Sequence, residues 1–358
     1  MAYDPAKLEI FRHLYASIAE EMGAALCRSS YSPNIKERRD FSCALFDAEG
    51  QMVAQAAHIP VHLGSMPLSV LAAIEGFDFQ PADMVILNDP YAGGTHLPDI
   101  TLVAPVFDDQ SRLRFFVANR AHHADVGGAA PGSLGLTRSI HDEGVRIPPT
   151  MLLRRGRMDG KVLRGILAEV RTPEEREGDL AAQVAANELG VRRTRELLAR
   201  RGEEALAYAE AVLDYAEELT RATIRRIPDG RYQFEDYLDD DGIRDRPVKI
   251  AATITVEGST AHVDFAGTDG QVAGCVNAVF AVTLSAVYYV FRTLAGAEVP
   301  SNAGGMRPLT VSAPEGSVVN ARFPAAVAGG NVETSQRIVD VLYGALAQAL
   351  PEVVPAAS

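Results

Sequence analysis

The chain has 358 residues, 47 acidic against 34 basic side chains, a net charge of −13 and 47% hydrophobic content. That much apolar surface builds a large core, with two domains expected at this length, and excludes a disordered or collagen-like chain. The acidic balance, with no basic cluster to offset it, argues against phosphate backbones and anionic bilayers, so neither nucleic acid nor a membrane is expected as a partner.

The opening stretch MAYDPAKLEIFRHLYASIAEEMG carries charges where a secretory signal needs an apolar run. Cys27, Cys43 and Cys275 are odd in number and far apart, so no disulfide framework is expected and the compartment is read as cytoplasmic. A first helix is predicted from Asp4 as N-cap, Pro5 at the first helical position, and Leu8, Phe11, Leu14, Ile18, Met22 and Leu26 at helical spacing. From about residue 38 to 147 the runs FSCALF, QMVAQA, DMVILN, ITLVAPVF and LRFFVANR read as strands between polar loops. His13, His58, His62, His96, His122, His123 and His141 precede residue 150 and only His262 follows it, which places the candidate chemistry in the N-terminal half. His13 and His262 read as surface helix and strand residues, and His62 and His141 as pocket residues for which a structural role is preferred.

Residues 179–227 are rich in Ala, Glu, Leu and Arg and predict two or three helices broken near Gly190 and Gly202, as a bundle-like connector. After Pro228-Asp229-Gly230 the pattern is β again, in RYQFEDYL, VKIAATITV and STAHVDFAG. Asp239-Asp240-Asp241-Gly242 lacks the alternating ligands and closing Glu of a calcium loop, so a solvated turn is expected. The charge-free run 272–291 is interrupted by Asn277, Thr283 and Ser285 and predicts a buried helix rather than a bilayer span, with Cys275 as a core residue. No GxxxxGK[ST] and no strand-bound GxGxxG appears, so phosphate-loop chemistry must come from elsewhere.

The stretch from Asn88 to Asp99 (NDPYAGGTHLPD), two strands, and then Ala121-His122-His123-Ala124-Asp125-Val126-Gly127-Gly128 carry the chemistry. A hairpin across Asp108–Arg112 with Phe107 opposite Leu113 places residue 99 opposite 121 and 98 opposite 122, so Asp99, His122 and nearby His96 meet at its open end. A second hairpin across Asp47–Gly50, with Phe46 opposite Gln51, places Asp40 opposite Ala57, beside His58. Two His and two Asp make a mixed N/O set suited to Zn, Mn or Fe, and no nearby thiolate points to a structural zinc. Gly93, Gly94, Gly127 and Gly128 are expected to let backbone approach a bound group closely.

At these residues the chain resembles the hydantoinase B/oxoprolinase family, in SPNIKERRDFSCALFDAEGQMVAQAAHIPVHLGSM, NDPYAGGTHLPDITLVAPVF and ANRAHHADVGGAAPGS, and further in GDLAAQVAAN, YLDDDG, VDFAGT, VPSNAGGMRPLTVSAPEGSVVNARFPAAV and GNVETSQRIVDVLYGAL. The resemblance implies a B subunit of an ATP-dependent 5-oxoprolinase, N-methylhydantoinase or caprolactamase, related to a subunit of acetone and acetophenone carboxylases. It further implies an A-type partner that holds ATP and phosphorylates the substrate's carbonyl oxygen, a hetero-oligomer, and a divalent ion (Mn, Zn or Fe) held here by Asp40, His96, Asp99 and His122. His122 is preferred to His123 because it opens the family's AHxxDxGG block. Asp125, His123, His58 and Asp89 are the candidates for moving a proton from water, with backbone N–H groups of the Gly-Gly turns as donors to developing negative charge. Residues that bind a cofactor other than the metal are not assigned.

The fold expected is α/β in mixed layers: a β-hairpin-rich metal-binding domain over 1–175, a helical connector over 176–228, and a second α/β domain over 229–358. The family's B subunits typically continue into a further Gly-rich region, so this last domain is expected to be incomplete at its C-terminus. The leading reading is a hydrolase that opens a cyclic amide such as 5-oxoproline, a hydantoin or a lactam. A carboxylase subunit and a non-catalytic scaffold fragment are the alternatives.

Overall fold

A computed structural model describes residues 3–56, 59–296 and 299–355. The long helix α1 (Pro5–Ser29) starts as expected, with the Asp4 carboxylate accepting from the Ala6 N–H, and the short α2 (Pro33–Lys36) follows. Next come β1 (Phe41–Asp47), β2 (Met52–Ala56), α3 (His62–Gly76), β3 (Met84–Leu87), β4 (Asp99–Phe107), β5 (Leu113–His122), β6 (Thr150–Arg154) and β7 (Arg157–Met158). Three helices, α4 (Gly160–Leu167), α5 (Pro173–Arg201) and α6 (Glu203–Ile224), lead to β8 (Gly230–Leu238), β9 (Val248–Glu257) and β10 (Thr260–Asp264). The chain then runs through α7 (Phe280–Ala295), β11 (Leu309–Ser312) and α8 (Ser335–Leu346).

Among the described residues β1–β7 form one antiparallel sheet in the order β2-β1-β5-β4-β3-β6-β7. Helices cover both faces, which is why its central strands read as nearly continuous apolar runs. Phe41, Cys43, Leu45, Leu102, Ala104, Phe115 and Val117 pack with α1, α5 and α6 in one core. Ala44, Phe46, Val103, Phe116 and Ala118 pack on the other face with Met66, Val70 and Ala73 of α3. A second sheet, in the order β11-β10-β9-β8, buries Ile250, Ile254 and Val256 of β9 against α7 and α8.

The helical stretch differs from the connector expected of it. Helix α5 runs unbroken through Gly190, and the break falls at Gly202, whose φ of +55° lies in the left-handed region. A Cβ at Gly190 would stand 2.4 Å from Met22 Sδ, so that glycine serves the close packing of α5 on α1. Asn119 donates to the Gln183 carbonyl and to Asn187 Oδ1, both at 2.8 Å, and Gln183 Nε2 donates to the Ile100 carbonyl at 2.9 Å. These buried amides bind α5 to β4 and β5 as a layer of the first core.

Two other expectations are corrected. Asp241 is buried, its carboxylate accepting from the N–H groups of Ile243 and Arg244, so the acidic run is a braced turn rather than a fully solvated one. The apolar run forms a helix only from Phe280 onward, and the buried Cys275 lies before it. No helix of the described residues is long and apolar enough to cross a membrane.

Candidate metal centre

Strand geometry assembles the site. Side chains alternate between the faces of a sheet, and directly paired residues share a face. Ser42 pairs with Arg120, Arg120 with Thr101, and Asp99 with His122, so these five line the face that α3 covers. Asp40 precedes Ser42 by two residues and is tied in by its carbonyl, which accepts from the His122 N–H at 2.9 Å.

The expected hairpin registers need correction. A bulge lets Val106 pair with Phe115 while Phe107 pairs with Leu113, and the extra residue brings Asp99 opposite His122 instead of residue 121. In the other hairpin Phe46 pairs with Met52 and Leu45 with Ala54, so Asp40 is not set by a Phe46–Gln51 pairing. Asp40 reaches the cluster through the β1–β5 ladder, a pairing between strands far apart in sequence that neither hairpin implied. His58 lies outside the described residues.

His96 Nε2, His122 Nδ1 and Asp99 Oδ1 meet at one point: the nitrogens are 3.1 Å apart, and each is 3.2 Å from the oxygen. His96 and Asp99 are buried to 1% exposure. The second oxygen of Asp99 accepts from Thr95 Oγ1 at 2.5 Å. Asp40 Oδ2 lies 4.0 Å from His122 Nδ1 and belongs to the outer side of the cluster. His62, read from sequence as a structural residue, stands behind Asp99 with Nε2 3.5 Å from Oδ2. Asn331, from the C-terminal third, places Nδ2 3.3 Å from His96 Nε2, so the chemistry is not confined to the N-terminal half. His62 and Asn331 fall in IPVHLGSM and GNVETSQRIV, which was the available signal for both.

Charges at the cluster oppose one another. Burial raises the Asp99 carboxyl, but the three histidines around it outweigh that and hold it well below the usual range. Burial lowers the His122 imidazole, and its hydrogen bond and charge interaction with Asp99 more than reverse this. Asp40 is pushed up by burial and by the negative charge of Asp99, while burial pushes His62 down. Two carboxylates forced close together beside imidazoles are what a bound cation would relieve.

The geometry fits a metal ion. Ligand atoms about 2.1 Å from one ion stand about 3.0 Å apart in an octahedron and about 3.4 Å apart in a tetrahedron. The separations of 3.1 and 3.2 Å fall in that interval. These three residues form the metal-competent cluster found among the described residues.

The other sequence candidates are engaged elsewhere. His123 lies just past the end of β5 and turns to the α5 side, where its Nε2 bonds Gln183 Oε1 at 2.8 Å. Burial lowers its pKa to about 4. Asp125 accepts from the Gly127 N–H and is paired with Arg171 at 2.7 Å. Asp89 caps the Pro90–Ala92 turn through the Tyr91 N–H and is paired with Arg146 at 3.0 Å. The glycines serve packing: a Cβ at Gly93, where φ is +86°, would stand 2.4 Å from the Leu68 carbonyl carbon on α3, and one at Gly127 2.4 Å from the Glu169 carbonyl.

Comparison with known proteins agrees with this architecture. The family model described as Hydantoinase B/oxoprolinase matches residues 4–358. An uncharacterized protein of Methanocaldococcus jannaschii, MJ0963, is 41% identical over 362 residues, covering 99% of this chain and 63% of the archaeal one. A 5-oxoprolinase of Saccharomyces cerevisiae is 38% identical over 361 residues, covering 95% of this chain but 27% of the yeast protein. The crystal structure of the ATP-dependent caprolactamase from Pseudomonas jessenii superposes with a TM-score of 0.92 at 31% identity, covering 99% of this chain and 62% of that one. This chain thus spans less than two thirds of each of these relatives, and it belongs to the hydantoinase B/oxoprolinase family.

Proposed function

We propose that this chain is the metal-holding B-type component of an ATP-dependent hydrolase that opens a small cyclic amide: 5-oxoproline, a hydantoin or a lactam. The observation that carries this reading is the mutual approach of His96, His122 and Asp99 to 3.1 and 3.2 Å. Asp40 joins them as the outer carboxylate. The N/O donor set suits Mn, Zn or Fe, and such an ion supplies a Lewis acid that polarises a carbonyl oxygen.

Ring opening adds the hydroxyl of water to the carbonyl carbon and its hydrogen to nitrogen, breaking the C–N bond. The chain's residues hold that reaction in place. Thr95 and the histidines orient Asp99, and α3 closes the face behind it. Asn331 has Oδ1 buried without a partner beside the cluster. Its side-chain amide holds the substrate's ring amide, donor to acceptor, once His96 Nε2 is engaged by an ion. ATP is used by an A-type partner in a hetero-oligomer, a reading that rests on the ATP-dependent caprolactamase likeness and on the greater length of the relatives.

Elemental mass spectrometry on the purified chain and on His96→Ala and Asp99→Ala, each shown folded by circular dichroism, tests the centre. Near-stoichiometric Mn, Zn or Fe, lost in both variants, is the expected result. A folded wild-type chain that takes up no ion when one is supplied overturns it. With the A-type partner present, ATP-dependent ring opening that needs no bicarbonate separates this function from the carboxylase alternative.

A further inference from the structure

His62 is fully buried at the first turn of α3, yet its Nε2 has no hydrogen-bond partner. Burying an imidazole nitrogen short of a full hydrogen bond is unfavourable, so the ring is kept there by what it faces. Its other nitrogen shows what holds it: Nδ1 is 2.9 Å from Ser42 Oγ on β1. If Ser42 donates to Nδ1, the ring carries its proton on Nε2, which faces Asp99 Oδ2 at 3.5 Å. His62 is not among the three residues whose ligand atoms converge. It stands on the far side of the Asp99 carboxylate, whose other oxygen is the one turned to His96 and His122.

We infer that His62 is a positioning residue, which with Ser42 and Thr95 fixes the Asp99 carboxylate so that one oxygen stays turned toward the ion site. The inference rests on the metal reading above. A carboxylate is free to rotate and to offer either oxygen, and a ligand so disordered loses affinity. Donors behind a metal ligand set its orientation, and removing one typically lowers metal affinity about 10–100-fold. The chain Ser42–His62–Asp99 crosses from β1 through α3 to β4, so α3 does more than cover the sheet: it sets the direction of a ligand. Gly64 lets the same end of α3 lie against α7, where a Cβ would stand 2.8 Å from the Ser285 nitrogen, and this contact limits the movement of His62.

The test measures Mn2+ affinity of the full chain by the electron paramagnetic resonance signal of free Mn2+, with the visible spectrum of bound Co2+ reporting geometry. His62→Leu keeps the volume and removes the donor, whereas His62→Gln places an N–H close to the position of Nε2. The expected result is about a tenfold or greater loss of Mn2+ affinity and an altered Co2+ spectrum for His62→Leu, and recovery to within about threefold of wild type for His62→Gln. Ser42→Ala, a smaller change suited to a fold that does not tolerate Leu at position 62, is expected to weaken Mn2+ binding in the same direction. Unchanged affinity in His62→Leu and Ser42→Ala, or equal loss in Leu and Gln, overturns the inference while leaving the metal centre standing. A folded wild-type chain that binds no Mn2+, Zn2+ or Fe2+ overturns the metal reading, and this inference with it.

Discussion

Asp99 and His122 stand directly opposite each other on β4 and β5, with Oδ1 and Nδ1 3.2 Å apart. Their pairing depends on one bulge near the far end of the hairpin. If Arg114 were paired in a regular ladder, Ala121 instead of His122 would stand opposite Asp99, because a one-residue slip exchanges the faces of a strand. Deleting Arg114 joins Leu113 to Phe115 and leaves Val106–Phe115 and Asp99–His122 paired, so stoichiometric metal uptake is expected to survive in the folded fraction, read by elemental analysis after size exclusion; its loss would show that the bulge itself is needed.

The two adjacent histidines have separable roles. His122→Ala is expected to remove metal binding with little effect on folding, since that ring faces the cluster. His123→Ala is expected to keep the metal but to cost about 1–3 kcal/mol in a urea unfolding experiment, because it leaves Gln183 Oε1 without its buried donor. A reversed pattern would assign the ligand to the wrong residue of the pair.

Glu143 makes stability depend on pH. It is buried and accepts from the N–H groups of Val327 and Ala328, both at 2.9 Å, and burial raises its pKa to about 7. A carboxyl with a raised folded pKa holds its proton in the native state at pH values where the unfolded chain has released it. Its contribution is therefore complete below the unfolded value of about 4.5 and lost as pH rises through about 7. Unfolding midpoints of wild type should fall relative to Glu143→Gln across that interval, and parallel curves would refute the assignment.

Gly330 admits the segment that carries Asn331. A Cβ there would stand 1.9 Å from the Asn277 carbonyl oxygen, a backbone atom with no freedom to turn aside. Gly330→Ala is expected to destabilise by about 1–3 kcal/mol. Asn331→Ala should instead leave both stability and metal content near wild type and lower kcat/KM of the complete enzyme; an unchanged kcat/KM would remove Asn331 from substrate binding.

Local chemistry made much of this protein legible from its residues alone. Asp4 and Pro5 mark a helix start, apolar runs such as FSCALF and ITLVAPVF mark the strands of a sheet covered on both sides, and HLPD and AHHAD bring imidazoles and carboxylates to strand ends. That side chains alternate between two faces along a strand is a property of the backbone and followed from sequence. Which of the two faces holds the cluster did not. That depends on α3 covering one side and α5 the other, and helix placement is decided by packing between segments far apart in the chain. The same reason hides the route by which Asp40, named from sequence, reaches the cluster, through β1 pairing with β5, and the places of His62 and Asn331, each separated from the cluster by long stretches of chain. A bulge of one residue, a serine behind a histidine and a glycine under a carbonyl have no periodic signature; their meaning appears only when the core has set which backbones touch.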